Sequence, residues 1–121
     1  MAFSFYIDGR IPTLNEYIKC ERSNRYAAAK LKEKTEIMII TAIKKTGNGE
    51  IPKPFVLKTT WYEKTKRRDK DNVAFAKKFI LDALQKGGYI ENDNNKNVMG
   101  FSDEFIYGEK QGALVSLEGK E

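Results

Sequence analysis

The chain has 121 residues, 40% hydrophobic and 32% charged, with 22 Lys and Arg against 17 Asp and Glu for a net charge of +5. Those figures describe one soluble globular domain over 1–121, neither disordered nor large enough for two cores, with a positive balance that suits a polyanionic partner. There is no histidine and one cysteine, Cys20, which excludes an internal disulfide, zinc fingers, HExxH peptidases and Ser-His-Asp triads. No GxxxxGK[ST] or GxGxxG stretch occurs, so no nucleotide cofactor is expected. No apolar run approaches the roughly 20 residues that cross a bilayer. The opening residues lead straight into strand-like sequence and not a signal peptide, so the expected location is the cytoplasm, with no membrane partner.

In chain order, "FSFYIDG" alternates and predicts a first strand over 3–7, ending at Gly9. "RIPTLNEY" reads as an irregular connection marked by Pro12 and Asn15. Asn24 is a candidate N-cap for a long helix that runs to about residue 46 and stops at "GNG". "PFVLKTTWYEK" predicts a strand from 55 to about 64. Asn72 opens a second helix, closed by the glycines at 87 and 88 with Lys86 in its last turn. "YIENDNNKN" is a polar loop, and "VMGFSDEFIYGEK" and "GALVSLEG" predict two closing strands joined as a hairpin. The order β-α-β-α-β-β implies an α+β (mixed α/β) domain, with about four strands in a mixed sheet packed against two helices.

The chemistry concentrates in "KRRDKDNVAFAKK", residues 66–78. Asp69 and Asp71 are spaced i, i+2, which in extended chain puts both carboxylates on one side. Such a pair suits Mg²⁺, a hard ion that takes oxygen ligands; alternatively, the acids only balance the surrounding cations and cap the helix. On a helical wheel Val73, Ala76, Ile80, Ala83 and Leu84 form a core face, with Phe75 and Phe79 beside it. Lys78 and Asp82 lie opposite, Lys78 on the side of Asp71 and within i+4 reach of Asp82. Lys77 projects toward the core edge. Asp93, with Glu91 nearby, is a candidate third acid, although a helix over 72–86 is about 22 Å long and Asp93 follows its far end. Asp93 either folds back or comes from a partner chain.

"DKDN", "KFILDAL", "GGYIEND" and "NV" together resemble the signature of RusA-like Holliday junction resolvases, endodeoxyribonucleases of phage and prophage origin, and "IPTLNEY" is similar to their N-terminal Pro-x-x-Asn segment. The resemblance implies Asp69, Asp71 and Asp93 as Mg²⁺-binding catalytic acids and a helix lysine as the fourth functional residue. Counting back from "DAL" selects Lys78. Between "DN" and "DAL" this chain is longer than the pattern by about three residues, nearly a helical turn, and "END" sets Asn92 beside Asp93 where the family often has a second acid. The resemblance also implies a homodimer, whose two-fold symmetry matches that of a four-way DNA junction. Lys66, Arg67, Arg68 and Lys70 would then contact the DNA backbone along the rim. Rival readings are a non-catalytic phage DNA-binding accessory protein and a nuclease that prefers forks or flaps.

Overall fold

In the computed structural model, which describes residues 2–91 and 97–119, the chain opens with β1 (Ala2–Asp8). Phe3, Phe5 and Ile7 point into the core from alternate positions of this strand. Residues 10–17 were expected to be irregular, yet α1 (Leu14–Ser23) begins here. Its start is a capping box: the Thr13 hydroxyl accepts from the Glu16 backbone N–H at 3.3 Å, and the Glu16 carboxylate accepts from the Thr13 N–H at 2.9 Å. Arg10 braces that carboxylate at 2.6 Å. Burial alone would raise the Glu16 pKa, but the hydrogen bonds from Arg10 and Thr13 outweigh it and hold the group below its ordinary value.

The long helix α2 (Arg25–Thr46) forms as expected, with the Asn24 side chain accepting from the Tyr26 N–H at 2.7 Å and Lys44 and Lys45 in its last turn. The short β2 (Asn48–Gly49) then pairs with β1, and β3 (Phe55–Glu63) follows with alternate residues buried.

The predicted second helix is divided into α3 (Lys70–Ala74) and α4 (Lys77–Lys86). At the junction the Ala76 N–H bonds to the Val73 carbonyl and the Lys78 N–H to the Phe75 carbonyl, both at 3.0 Å. These i−3 bonds tighten the turn to three residues per revolution. Phe75 and Phe79 meet Tyr17 of α1 there, with ring centroids 6.1 and 5.7 Å away. The core face named from the wheel is buried as expected, through Val73, Ala76, Phe79, Ile80, Ala83 and Leu84.

The expected closing hairpin does not exist. β4 (Val98–Tyr107) runs parallel to β3, while β5 (Gly112–Gly119) lies antiparallel between β1 and β3, giving the order β2-β1-β5-β3-β4. Composition explains the choice: β5 sends Ala113, Val115 and Leu117 fully into the core, as a central strand must. β4 carries Ser102, Asp103 and Glu104 and buries only Val98 fully, as suits an edge strand. Gly112 permits the β1–β5 contact, since a Cβ on it would stand 2.3 Å from the Ile7 carbonyl oxygen. The β3–α3–α4–β4 segment is thus a βαβ crossover. The architecture is mixed α+β, with helices on one sheet face and Lys58, Thr60, Ser116 and Glu118 lining a hollow on the other.

Candidate active site

Everything notable about the site hangs on that crossover. The chain leaves β3 at Glu63, loops through 64–69 and enters α3, so the basic stretch lies across the end of the sheet beside β4. Lys66 sits over the Tyr107 ring and Lys70 over the Phe105 ring, with the ammonium nitrogens 5.4 and 5.7 Å from the centroids. Lys66, Arg68, Asp69, Lys70, Asp71 and Tyr107 line one hollow of about 640 Å³.

Asp69 occupies the N-cap position of α3 with extended backbone, φ −63° and ψ 143°, but its side chain makes no capping bond. Asp71 stands in the first turn. Among the described residues neither carboxylate enters an ion pair or a side-chain hydrogen bond, and both are exposed. Capping therefore does not account for this pair. Two free carboxylates opening on one hollow are a donor set that fits a hard divalent cation. Among the described residues no three acids gather closely enough to hold a metal; Asp93 lies outside those residues.

The four cations named from sequence separate into different environments. Lys66 and Lys70 line the hollow. Arg67 is exposed beyond it, its N–H bonded to the Thr65 hydroxyl at 3.0 Å. Arg68 turns inward: its side chain is 16% exposed, with Nη1 3.3 Å from the Glu63 carboxylate, itself 6% exposed, and Nη2 donating to the Ile11 carbonyl at 2.6 Å. Burial is the largest influence on this guanidinium, pulling its pKa below the ordinary value, with Glu63 opposing it. Arg68 ties the site loop to the segment before α1.

The lysines of α4 also differ from the wheel. Asp82 pairs with Lys32 of α2 at 3.7 Å instead of with Lys78. Lys77 reaches outward to β4, where its nitrogen lies 2.6 Å from Asp103 Oδ2 and 4.8 Å from the Phe101 centroid. The other Asp103 oxygen, Oδ1, accepts from Trp61 Nε1 at 2.9 Å. A three-residue turn adds about 20° per residue to the α-helical 100°. The tightened junction therefore rotates α4 forward, and Lys77 and Lys78 fall on either side of the direction of Asp71. Both line a second hollow of about 550 Å³ with Asp71, Leu14, Phe75 and Phe101. Asp71 borders both hollows.

Asp103 was missed because the alternation "FSDEFIY" was read only as a closing strand. Its parity with Phe101, Phe105 and Tyr107, on the side facing Lys77, Lys70 and Lys66, was the available signal.

No curated protein matches the chain. The sequence profile of the family described as "Endodeoxyribonuclease RusA" does match, from residue 4 to residue 118. That span takes in most of β1, the α1 capping box, the site loop, the crossover and most of β5. With the match extending over nearly its whole length, this chain belongs to the RusA endodeoxyribonuclease family of DNA-cutting enzymes.

Proposed function

We propose that the chain is a Mg²⁺-dependent, structure-selective endodeoxyribonuclease that resolves four-way (Holliday) junctions by paired phosphodiester hydrolysis, acting as a homodimer. The observation that carries this reading is the N-cap Asp69 that makes no capping bond, beside an Asp71 equally without a partner among the described residues, in a hollow walled by lysines. A residue at this position serving as a helix cap would have its carboxylate on a backbone N–H of the first turn, and Asp69 does not.

Asp69 and Asp71 would hold the ion, with Asp93 as third ligand from its own chain or from a partner. When bound, Mg²⁺ supplies Lewis-acid stabilisation of charge on the phosphoryl oxygens and lowers the pKa of a coordinated water. Lys66 and Lys70 attract the DNA backbone and position the scissile phosphate over the acids. A lysine of α4, Lys78 by sequence count, offsets negative charge growing on that phosphate. Two-fold symmetry would present one such site to each of two opposed strands.

Asp71→Asn is the test. It removes a ligand without adding negative charge, so junction cleavage should fall by at least about 100-fold while junction affinity is retained. Full cleavage by this variant in Mg²⁺ would refute the site. A non-catalytic accessory protein would instead bind DNA indifferently to Mg²⁺ and yield no products from a labelled junction. Rates on junction, fork, flap and linear duplex under one condition distinguish the junction preference from a broader substrate range.

A further inference from the structure

Lys77 and Lys78 share the hollow beside Asp71, but only one has a fixed position. Lys78 is exposed, and among the described residues its ammonium has no partner. Lys77 is 22% exposed and anchored to Asp103, which is 21% exposed. Asp103 in turn cannot swing away. Its Oδ1 is held by the indole of Trp61, a side chain 1% exposed in the middle of β3. The register is set by the parallel pairing of Thr59 with Asp103 and Trp61 with Phe105.

We infer that Asp103 is a positioning residue, which with Trp61 holds the Lys77 ammonium toward the phosphate site, and that Lys77 is the phosphate-facing lysine of this chain. The inference rests on the nuclease reading above. An ammonium has three donors, and Asp103 Oδ2 uses one, leaving two for phosphoryl oxygens. Fixing a long, flexible side chain before substrate arrives removes an ordering cost that Lys78 would still meet. The link also ties the end of the lysine side chain to β3 and β4 through Asp103 and Trp61. Asp103 does not itself reach substrate; its role passes through Lys77.

Asp103→Asn is the discriminating change, because the amide oxygen can still accept from Trp61 while the charge that holds Lys77 is gone. Single-turnover cleavage of a labelled four-way junction in Mg²⁺ should slow by roughly 10- to 100-fold. Junction affinity measured in Ca²⁺ should stay within about twofold, as expected for an interaction realised in the chemical step. Lys77→Met should match it, and the double variant should be no slower than Lys77→Met alone. Should Asp103→Asn melt near the assay temperature, Lys77→Met against Lys78→Met carries the same question, with the first the slower of the two. A wild-type rate for Asp103→Asn, multiplicative losses in the double variant, equal losses of binding and rate, or the reverse order of the two lysine variants would overturn the inference. If Asp71→Asn abolishes cleavage while Asp103→Asn does not slow it, only this inference falls. A wild-type chain that cuts no junction removes both.

Discussion

Arg68 gives the sharpest test of how the basic stretch is divided between fold and DNA. Changing it to Ala removes the 3.3 Å ion pair to Glu63 and the 2.6 Å hydrogen bond to the Ile11 carbonyl. It leaves the Glu63 carboxylate, 6% exposed, without its counter-charge. Breaking a buried pair from one side costs about 3–5 kcal/mol. The 3.3 Å separation places this case near the lower end, about 3 kcal/mol. For a chain of 121 residues that corresponds to a fall in Tm of roughly 10–15 °C. Thermal and urea melts followed by far-ultraviolet circular dichroism measure it, and the paired change Glu63→Gln with Arg68→Met should recover much of the loss. Lys66→Ala, by contrast, should leave Tm within about 2 °C. It should lower the slope of log affinity against log salt on duplex DNA by about 0.9 per lost phosphate contact. An Arg68→Ala variant that melts like wild type and reduces the salt slope as Lys66→Ala does would refute the assignment of Arg68 to the fold.

Two further outcomes follow from the β1 neighbourhood. Gly112→Ala places a Cβ 2.3 Å from the Ile7 carbonyl oxygen and should destabilise the β1–β5 pairing by about 1–3 kcal/mol, read from the urea midpoint. The capping box should make stability depend on pH in the acid range. The folded pKa of Glu16 lies below its ordinary 4.5, so its contribution is fully present above 4.5 and is lost as pH falls through the lower, folded value. Glu16→Gln should flatten that part of the curve, whereas an unchanged profile would show that the box does not titrate with folding.

Local signals in the sequence carried much of the fold. The alternation at β1, the Asn24 cap of α2, the β-branched run of β3 and the apolar face of α4 were all legible, because each depends on residues near in sequence. The α1 capping box was equally local, in Thr13 and Glu16, but the turn residues Pro12 and Asn15 drew the reading away from it. Strand order was a different matter. Whether β5 follows β4 as a hairpin or crosses to lie beside β1 depends on burial competition among distant strands; the only trace was the apolar parity of "GALVSL" against the polar character of β4. In the site, Asp69 and Asp71 do line one hollow, but the i, i+2 argument assumed extended chain, whereas α3 begins at Lys70 and only Asp69 is extended. The wheel set Lys78 on the side of Asp71, with which it shares a hollow, but it left Lys77 at the core edge because it assumed constant twist through a junction held by i−3 bonds and by Phe75 and Phe79 against Tyr17. Arg68 was misplaced by assuming that a run of cations shares one environment.

The hydrogen bond from Trp61 to Asp103 carries a practical consequence. Trp61 is the chain's one tryptophan, its indole is buried, and it lies a single carboxylate away from the Lys77 ammonium. The fluorescence of an indole follows the electric field along its ring, so the protein contains a built-in optical reporter at the edge of its own site. On the proposed role of Lys77, a phosphate anion settling against its ammonium should change that field and shift the emission, a signal that stopped flow reads in the unlabelled chain.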